Sequence, residues 1–129
     1  MSSYNYIEEL IFTGVAYMES EISRDFIDNY FNQEDESLEK GGVVLIPTKQ
    51  EFIEIENYPD YMFGIIEKVI RYSEEPLYEE MANPSVVCYA KELPEFELDI
   101  EHQNKVKDAI QENNLPVKPI KTYIVKYLR

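Results

Sequence analysis

The sequence has no tryptophan, one cysteine (Cys88), one histidine (His102) and only four glycines. Each shortage closes a class of explanation. A lone cysteine permits no internal disulfide and points to a reducing compartment, the cytoplasm. One cysteine and one histidine fall short of the ligand sets that hold zinc. Four glycines, with Gly41-Gly42 ahead of a strand pattern rather than behind one, make no phosphate-cradling loop. Long apolar runs are missing too: segments such as Val43–Ile46 are far shorter than the roughly 20 residues that span a membrane. The stretch Met1–Glu9 carries early acids and no basic run, so no secretory or transit leader is expected.

Basic residues are scarce. Twelve Lys and Arg face 26 Asp and Glu, a net charge of −14. The excess is uneven. Residues 1–104 carry 24 acids and 6 bases, or −18; residues 105–129 carry 2 acids and 6 bases, or +4. A surface of this sign repels nucleic acid and anionic membranes and attracts basic proteins and cations. High net charge also serves plain solubility.

What is present is enough for a core. Hydrophobic residues make up 44% of the 129, with 11 Tyr and 6 Phe. The length fits a single globular domain over 1–129. Residues 7–18 carry both a helical stripe (Ile7, Ile11, Val15, Met18) and a run of strand formers. Gly14 weakens the helix, which favours a strand over 8–17. Ile22, Phe26, Ile27 and Tyr30 recur at helical spacing over 20–32, with Ser20 or Ser23 as cap. Residues 32–42 read as a mobile acidic loop. Val43–Ile46 is a buried strand that Pro47 ends.

Thr48-Lys49-Gln50-Glu51 has the capping-box pattern and predicts a short helix over 49–57. Pro59 predicts a second helix to Tyr72, with Met62, Phe63, Ile66, Val69 and Ile70 on one face. Pro76 opens another short helix, to Met81. Val86–Ala90 reads as a strand. Phe96, Leu98 and Ile100 alternate with Glu95, Glu97 and Asp99, the pattern of a half-exposed extended segment. Residues 101–113 predict a helix ended by Asn113, Asn114 and Pro116, and residues 120–128 a final strand. The expected fold class is α+β, or α/β: a small mixed sheet of four or five strands under a single layer of four or five helices.

No motif points to catalysis. Cys88, inside Val-Val-Cys-Tyr-Ala, reads as a small core hydrophobe. His102 reads as a surface residue near a helix start. No nucleophile elbow supports a Ser/His/Asp triad. Pro59-Asp60 lacks the acids and lysine that a metal-dependent nuclease needs. Asp35, Glu36 and Glu39 lack the glycine and closing glutamate of a calcium loop. No cofactor, metal ion or catalytic residue is assigned.

The acidic clusters remain. Glu34, Asp35 and Glu36 form one. Tyr72, Glu74, Glu75, Tyr78, Glu79 and Glu80 form another, with tyrosines among the acids. Glu95, Glu97 and Asp99 form a third. Alternate carboxylates on an extended segment stand about 6.5–7 Å apart, close to the phosphate spacing of a nucleic-acid strand. These twelve residues are the candidate contacts to a basic partner, since tyrosine buries area while keeping a polar tip. The sequence therefore reads as a non-enzymatic acidic binding module. It would act as an inhibitor or immunity-type protein against a basic nucleic-acid enzyme or toxin, its carboxylates imitating nucleic-acid phosphates, with no direct contact to nucleic acid or membrane. A self-assembling scaffold subunit, and a small carboxylate-dependent enzyme, are the alternatives.

Overall fold

The computed structural model describes residues 7–31, 42–48, 58–74 and 88–128. In chain order these form strand β1 (Ile7–Tyr17), a 3-10 turn at Glu19–Glu21, helix α1 (Arg24–Phe31), strands β2 (Val44–Pro47), β3 (Tyr61–Ser73) and β4 (Tyr89–Glu92), helix α2 (Ile100–Glu112) and strand β5 (Lys121–Leu128). The sheet order is β2-β3-β1-β5-β4, and every neighbouring pair is antiparallel. Among the described residues there are two α-helices. Over the described residues the expected mixed sheet under a layer of helices is thus replaced by a five-stranded, wholly antiparallel sheet with two helices.

The main error lies at 59–72. This stretch is not a helix but most of β3, the longest strand. Its pairing with β1 explains the misreading. Phe12 pairs with Ile66 and Ile11 with Lys68, so Glu67 is an extra residue; Leu10 pairs with Val69 and Glu9 with Arg71, so Ile70 is another. Each β-bulge adds one residue to the alternation. Met62 and Ile66 share one face across Gly64, and the bulge at Glu67 puts the next residue of that row, Val69, three positions on. The resulting 62, 66, 69 spacing imitates a helix.

β1, β2 and β5 lie where the sequence places strands, and α1 and α2 where it places helices. Residues 95–100 form no strand: a turn spans Pro94–Phe96, and Ile100 opens α2. The helices expected at 49–57 and 76–81, and all but Gly42 of the acidic loop, lie outside the described residues. No helix of the described residues is long and apolar enough to cross a membrane.

Both sheet faces are buried near the centre. One packs Val15, Tyr17, Leu45, Phe63 and Ile65 against Ile27 of α1 and Val106 and Ile110 of α2. Phe26, Tyr30 and Phe63 seat α1 through mutual ring contacts at centroid distances of 5.3 to 5.7 Å. The other face gathers Leu10, Phe12, Val44, Ile46, Met62, Val125 and Tyr127. Ser23 caps α1 as the sequence suggests, its Oγ accepting from the Phe26 N–H. Asp99, expected in an extended segment, instead caps α2, accepting from the His102 N–H. Asn114 takes the left-handed conformation (φ 53°) just after α2.

Tyrosine hydroxyls brace the sheet. Tyr17 donates to the Pro116 carbonyl at 2.6 Å and Tyr58 to that of Lys126 at 3.1 Å. Tyr89 and Tyr127 donate to Glu9 and Glu8. Burial, with Glu21 nearby, pushes the Tyr17 phenol up to about 12. Burial also raises Tyr58, and burial with the Glu9 hydrogen bond raises Tyr89. Unfolding returns these phenols to about 10, so above that pH the folded state binds more protons than the unfolded one. The associated stability is complete below pH 10 and is lost as pH rises through the folded values. Spectrophotometric titration is expected to show the braced phenols of Tyr17, Tyr58 and Tyr89 ionising only in a cooperative step that coincides with unfolding; one smooth transition near the ordinary tyrosine value of about 10, with the fold intact, would contradict the bracing.

Candidate functional site

Two features on the helix-bearing side of the sheet carry polar chemistry. The first is built on the bulge of β3. Glu67, with its side chain 11% exposed, accepts from Thr13 Oγ1 at 2.8 Å. It also meets His102 Nδ1 of α2, at 2.6 Å through Oε1 and 3.0 Å through Oε2. Thr13 is fully buried, and its cross-strand neighbour Thr122 is 3% exposed. Thr122 Oγ1 is buried with no hydrogen-bond partner among the described residues. A polar row thus crosses the sheet from Glu67 on β3, through Thr13 on β1, to Thr122 on β5.

A carboxylate that accepts from Nδ1 holds an imidazole in one tautomer and leaves Nε2 as the basic nitrogen. In nucleophilic catalysis a hydroxyl would meet Nε2. Here the Thr13 hydroxyl donates to the carboxylate instead, and no described hydroxyl or thiol is bonded to Nε2. The group's evident role is to tie α2 to the bulge. His102, read from sequence as a surface residue, is in fact half-buried and engaged; Glu67 went unnoticed. The one available signal was an acid within the apolar run 61–70, which helical periodicity placed on a solvent face.

The second feature is the segment joining β4 to α2. Residues 92–101 hold five carboxylates (Glu92, Glu95, Glu97, Asp99, Glu101) and no base. All five are exposed, as are Phe96 (39%) and Ile100 (72%). The segment is anchored by the Leu93 N–H, which donates to the Thr122 carbonyl at 2.8 Å. Asp99 is committed as the α2 cap; the backbone N–H of His102 holds its carboxyl below the usual range. Glu92 takes a 2.7 Å bond from Lys121, which raises the lysine. Under the segment lies a pocket of about 200 Å³ walled by Leu93, Pro94, Phe96, Leu98 and Ile120, with Thr122 also lining it and the Glu92–Lys121 pair at its border.

A larger cleft of about 530 Å³ runs past Ala16, Pro59, Ala90 and Tyr123. Its charged groups already have partners. Lys118 Nζ binds Glu21 at 2.7 Å and the Ala16 carbonyl at 2.8 Å, and Glu92 is held by Lys121. Among the described residues no three His, Cys, Asp or Glu side chains are grouped to hold a metal ion.

Of the twelve expected contacts, Glu34, Asp35, Glu36, Glu75, Tyr78, Glu79 and Glu80 lie outside the described residues. Glu95, Glu97 and Asp99 fall together on the segment above. Tyr72 (52% exposed) and Glu74 sit elsewhere. Tyr72 pairs with Glu8, five positions along β1 from Thr13, the residue opposite Thr122. At roughly 3.4 Å per residue this is about 17 Å along the strand, so the two groups belong to opposite ends of the sheet.

No protein-family model matches the chain, and neither does any curated protein or any solved structure.

Proposed function

We propose that this chain is an acidic protein-binding module that occupies a basic partner, such as a nucleic-acid enzyme or a toxin. One observation carries the reading: segment 92–101 presents five exposed carboxylates and no base, with Phe96 and Ile100 exposed among them. Exposed carboxylates at this density steer a basic surface in and add little affinity each. Apolar side chains set among them supply the area that holds a complex. Because residues 94–96 form a turn, the carboxylates do not make the straight row that strand spacing would give. The proposal therefore rests on charge density with apolar contacts, and not on a regular imitation of phosphates.

The test is capture from host lysate at low and moderate salt, with the double variant Glu95→Lys/Glu97→Lys run in parallel. The expected result is a basic protein retained by the native chain and released as salt rises. Its association rate should fall about tenfold in the variant, because reversing two carboxylates changes the charge of the docking face by four units. A basic protein that binds both chains equally, or no basic protein at all, sinks the reading.

A further inference from the structure

Resting on that reading, we infer that the pocket beneath segment 92–101 receives one tyrosine side chain from a basic stretch of the partner. Three observations converge. The first is size. A cavity of about 150 Å³ lined by aliphatic and aromatic groups holds a benzene ring, and this pocket has about 200 Å³ between Leu93, Pro94, Phe96, Leu98 and Ile120. That is room for one substituted ring.

The second is the Thr122 hydroxyl. Thr122 lines the pocket, is 3% exposed, and its Oγ1 has no partner among the described residues. A buried hydroxyl without a partner is costly, and most in native proteins are satisfied. Thr13, opposite, has spent its proton on Glu67. A phenol suits Thr122 because each hydroxyl can donate or accept. A purely aliphatic or phenyl group would leave the threonine oxygen unsatisfied.

The third is charge. The segment over the pocket carries five acids and no base. Lys121, the base at the border, is held by Glu92 at 2.7 Å. A ring flanked by lysines or arginines would therefore meet opposite charge on entering. A buried aromatic anchor inside a charged rim is the usual composition of an interface hot spot.

The test uses three synthetic peptides, Lys-Lys-Tyr-Lys-Lys and its Phe-centred and Ala-centred analogues, titrated into the full chain by calorimetry and amide-resolved NMR. The tyrosine peptide is expected to bind at least about tenfold tighter than the alanine peptide and severalfold tighter than the phenylalanine one. Its amide shifts should centre on residues 92–98 and 120–122. Thr122→Val should abolish the preference of tyrosine over phenylalanine while leaving both above alanine; valine matches the shape of threonine and removes only the hydroxyl, so the variant should fold. Leu98→Trp, which fills the pocket, should bring all three peptides to the alanine level.

Equal binding of all three peptides, weakened together by Glu95→Lys/Glu97→Lys, would overturn the pocket and leave the acidic-module reading standing. Retention of the tyrosine preference in Thr122→Val would overturn the role of the hydroxyl. Peptide shifts confined to other parts of the sheet, or no binding by any peptide, would overturn the inference; the lysate capture decides separately whether the acidic module falls with it.

Discussion

Replacing Gly14 by alanine is expected to destabilise the protein by about 3 kcal/mol, the upper range for overpacking a filled interior. Gly14 and Gly64 are cross-strand partners in the bulge-free part of the β1–β3 pair. A Cβ on Gly14 would stand 2.2 Å from the Phe63 carbonyl oxygen and 2.8 Å from the Gly64 Cα. A Cβ on Gly64 would stand 2.1 Å from the Thr13 carbonyl oxygen and 2.7 Å from the Gly14 Cα. The Phe12 ring closes over both, with Cε1 2.9 Å from either position. The nearest atoms are backbone, so the strands themselves must part. Gly64→Ala should cost a similar amount.

Urea unfolding of the purified variants measures this. Val69→Ala, at a half-exposed position on the same strand, is the control and should change stability by no more than about 1 kcal/mol. Trimming the ring in a Gly14→Ala/Phe12→Leu double variant should recover little, because the carbonyl contact remains. Near-complete recovery would mean that the ring, and not the strand spacing, sets the requirement for glycine.

Glu67→Leu is expected to cost about 2–3 kcal/mol, through a different mechanism. Leucine leaves the fully buried Thr13 hydroxyl and His102 Nδ1 without their shared acceptor. Stranding buried polar groups costs on the order of 1–3 kcal/mol each, less for the half-exposed histidine. Glu67→Gln should cost only about 1 kcal/mol: its amide oxygen can accept from His102 while its NH₂ donates to Thr13, whose hydroxyl can turn to accept. Thr13→Val and Glu67→Leu should be strongly non-additive in a double-mutant cycle, since each removes the same contact. Equal losses for the leucine and glutamine variants would indicate that the charge, and not the hydrogen bonds, ties the bulge to α2.

The reasons for the sequence reading's successes and failures are visible in single elements. β1 was legible because Leu10-Ile11-Phe12 and Val15-Ala16-Tyr17 flank a glycine that a helix would tolerate poorly. Its two-sided burial matches the near-continuous apolar run. The end of α2 was legible because it is local: Asn113 and Asn114 close the helix through contacts within a few residues. Its start was not, because Asp99, the cap, continues the alternation of Glu95 and Glu97 in a pattern that reads as extended chain. β3 was not legible. Glu67 and Ile70 each insert one residue into a period of two, and only pairing with β1 reveals that. The pocket was equally hidden, because its wall comes from residues 92–98 while its floor comes from Ile120 and Thr122.

By itself, then, the sequence determined the acidic surface, the lack of an internal disulfide, the helices α1 and α2 and the terminal strands, all of which follow from composition or from neighbours along the chain. Tertiary structure alone decided that β1 and β5, near the two ends of the chain, pair at the heart of the sheet, that two glycines meet there, and that Glu67 turns towards Thr13 and His102. Those outcomes rest on register and close approach between segments 35 or more residues apart, distances over which no local propensity acts.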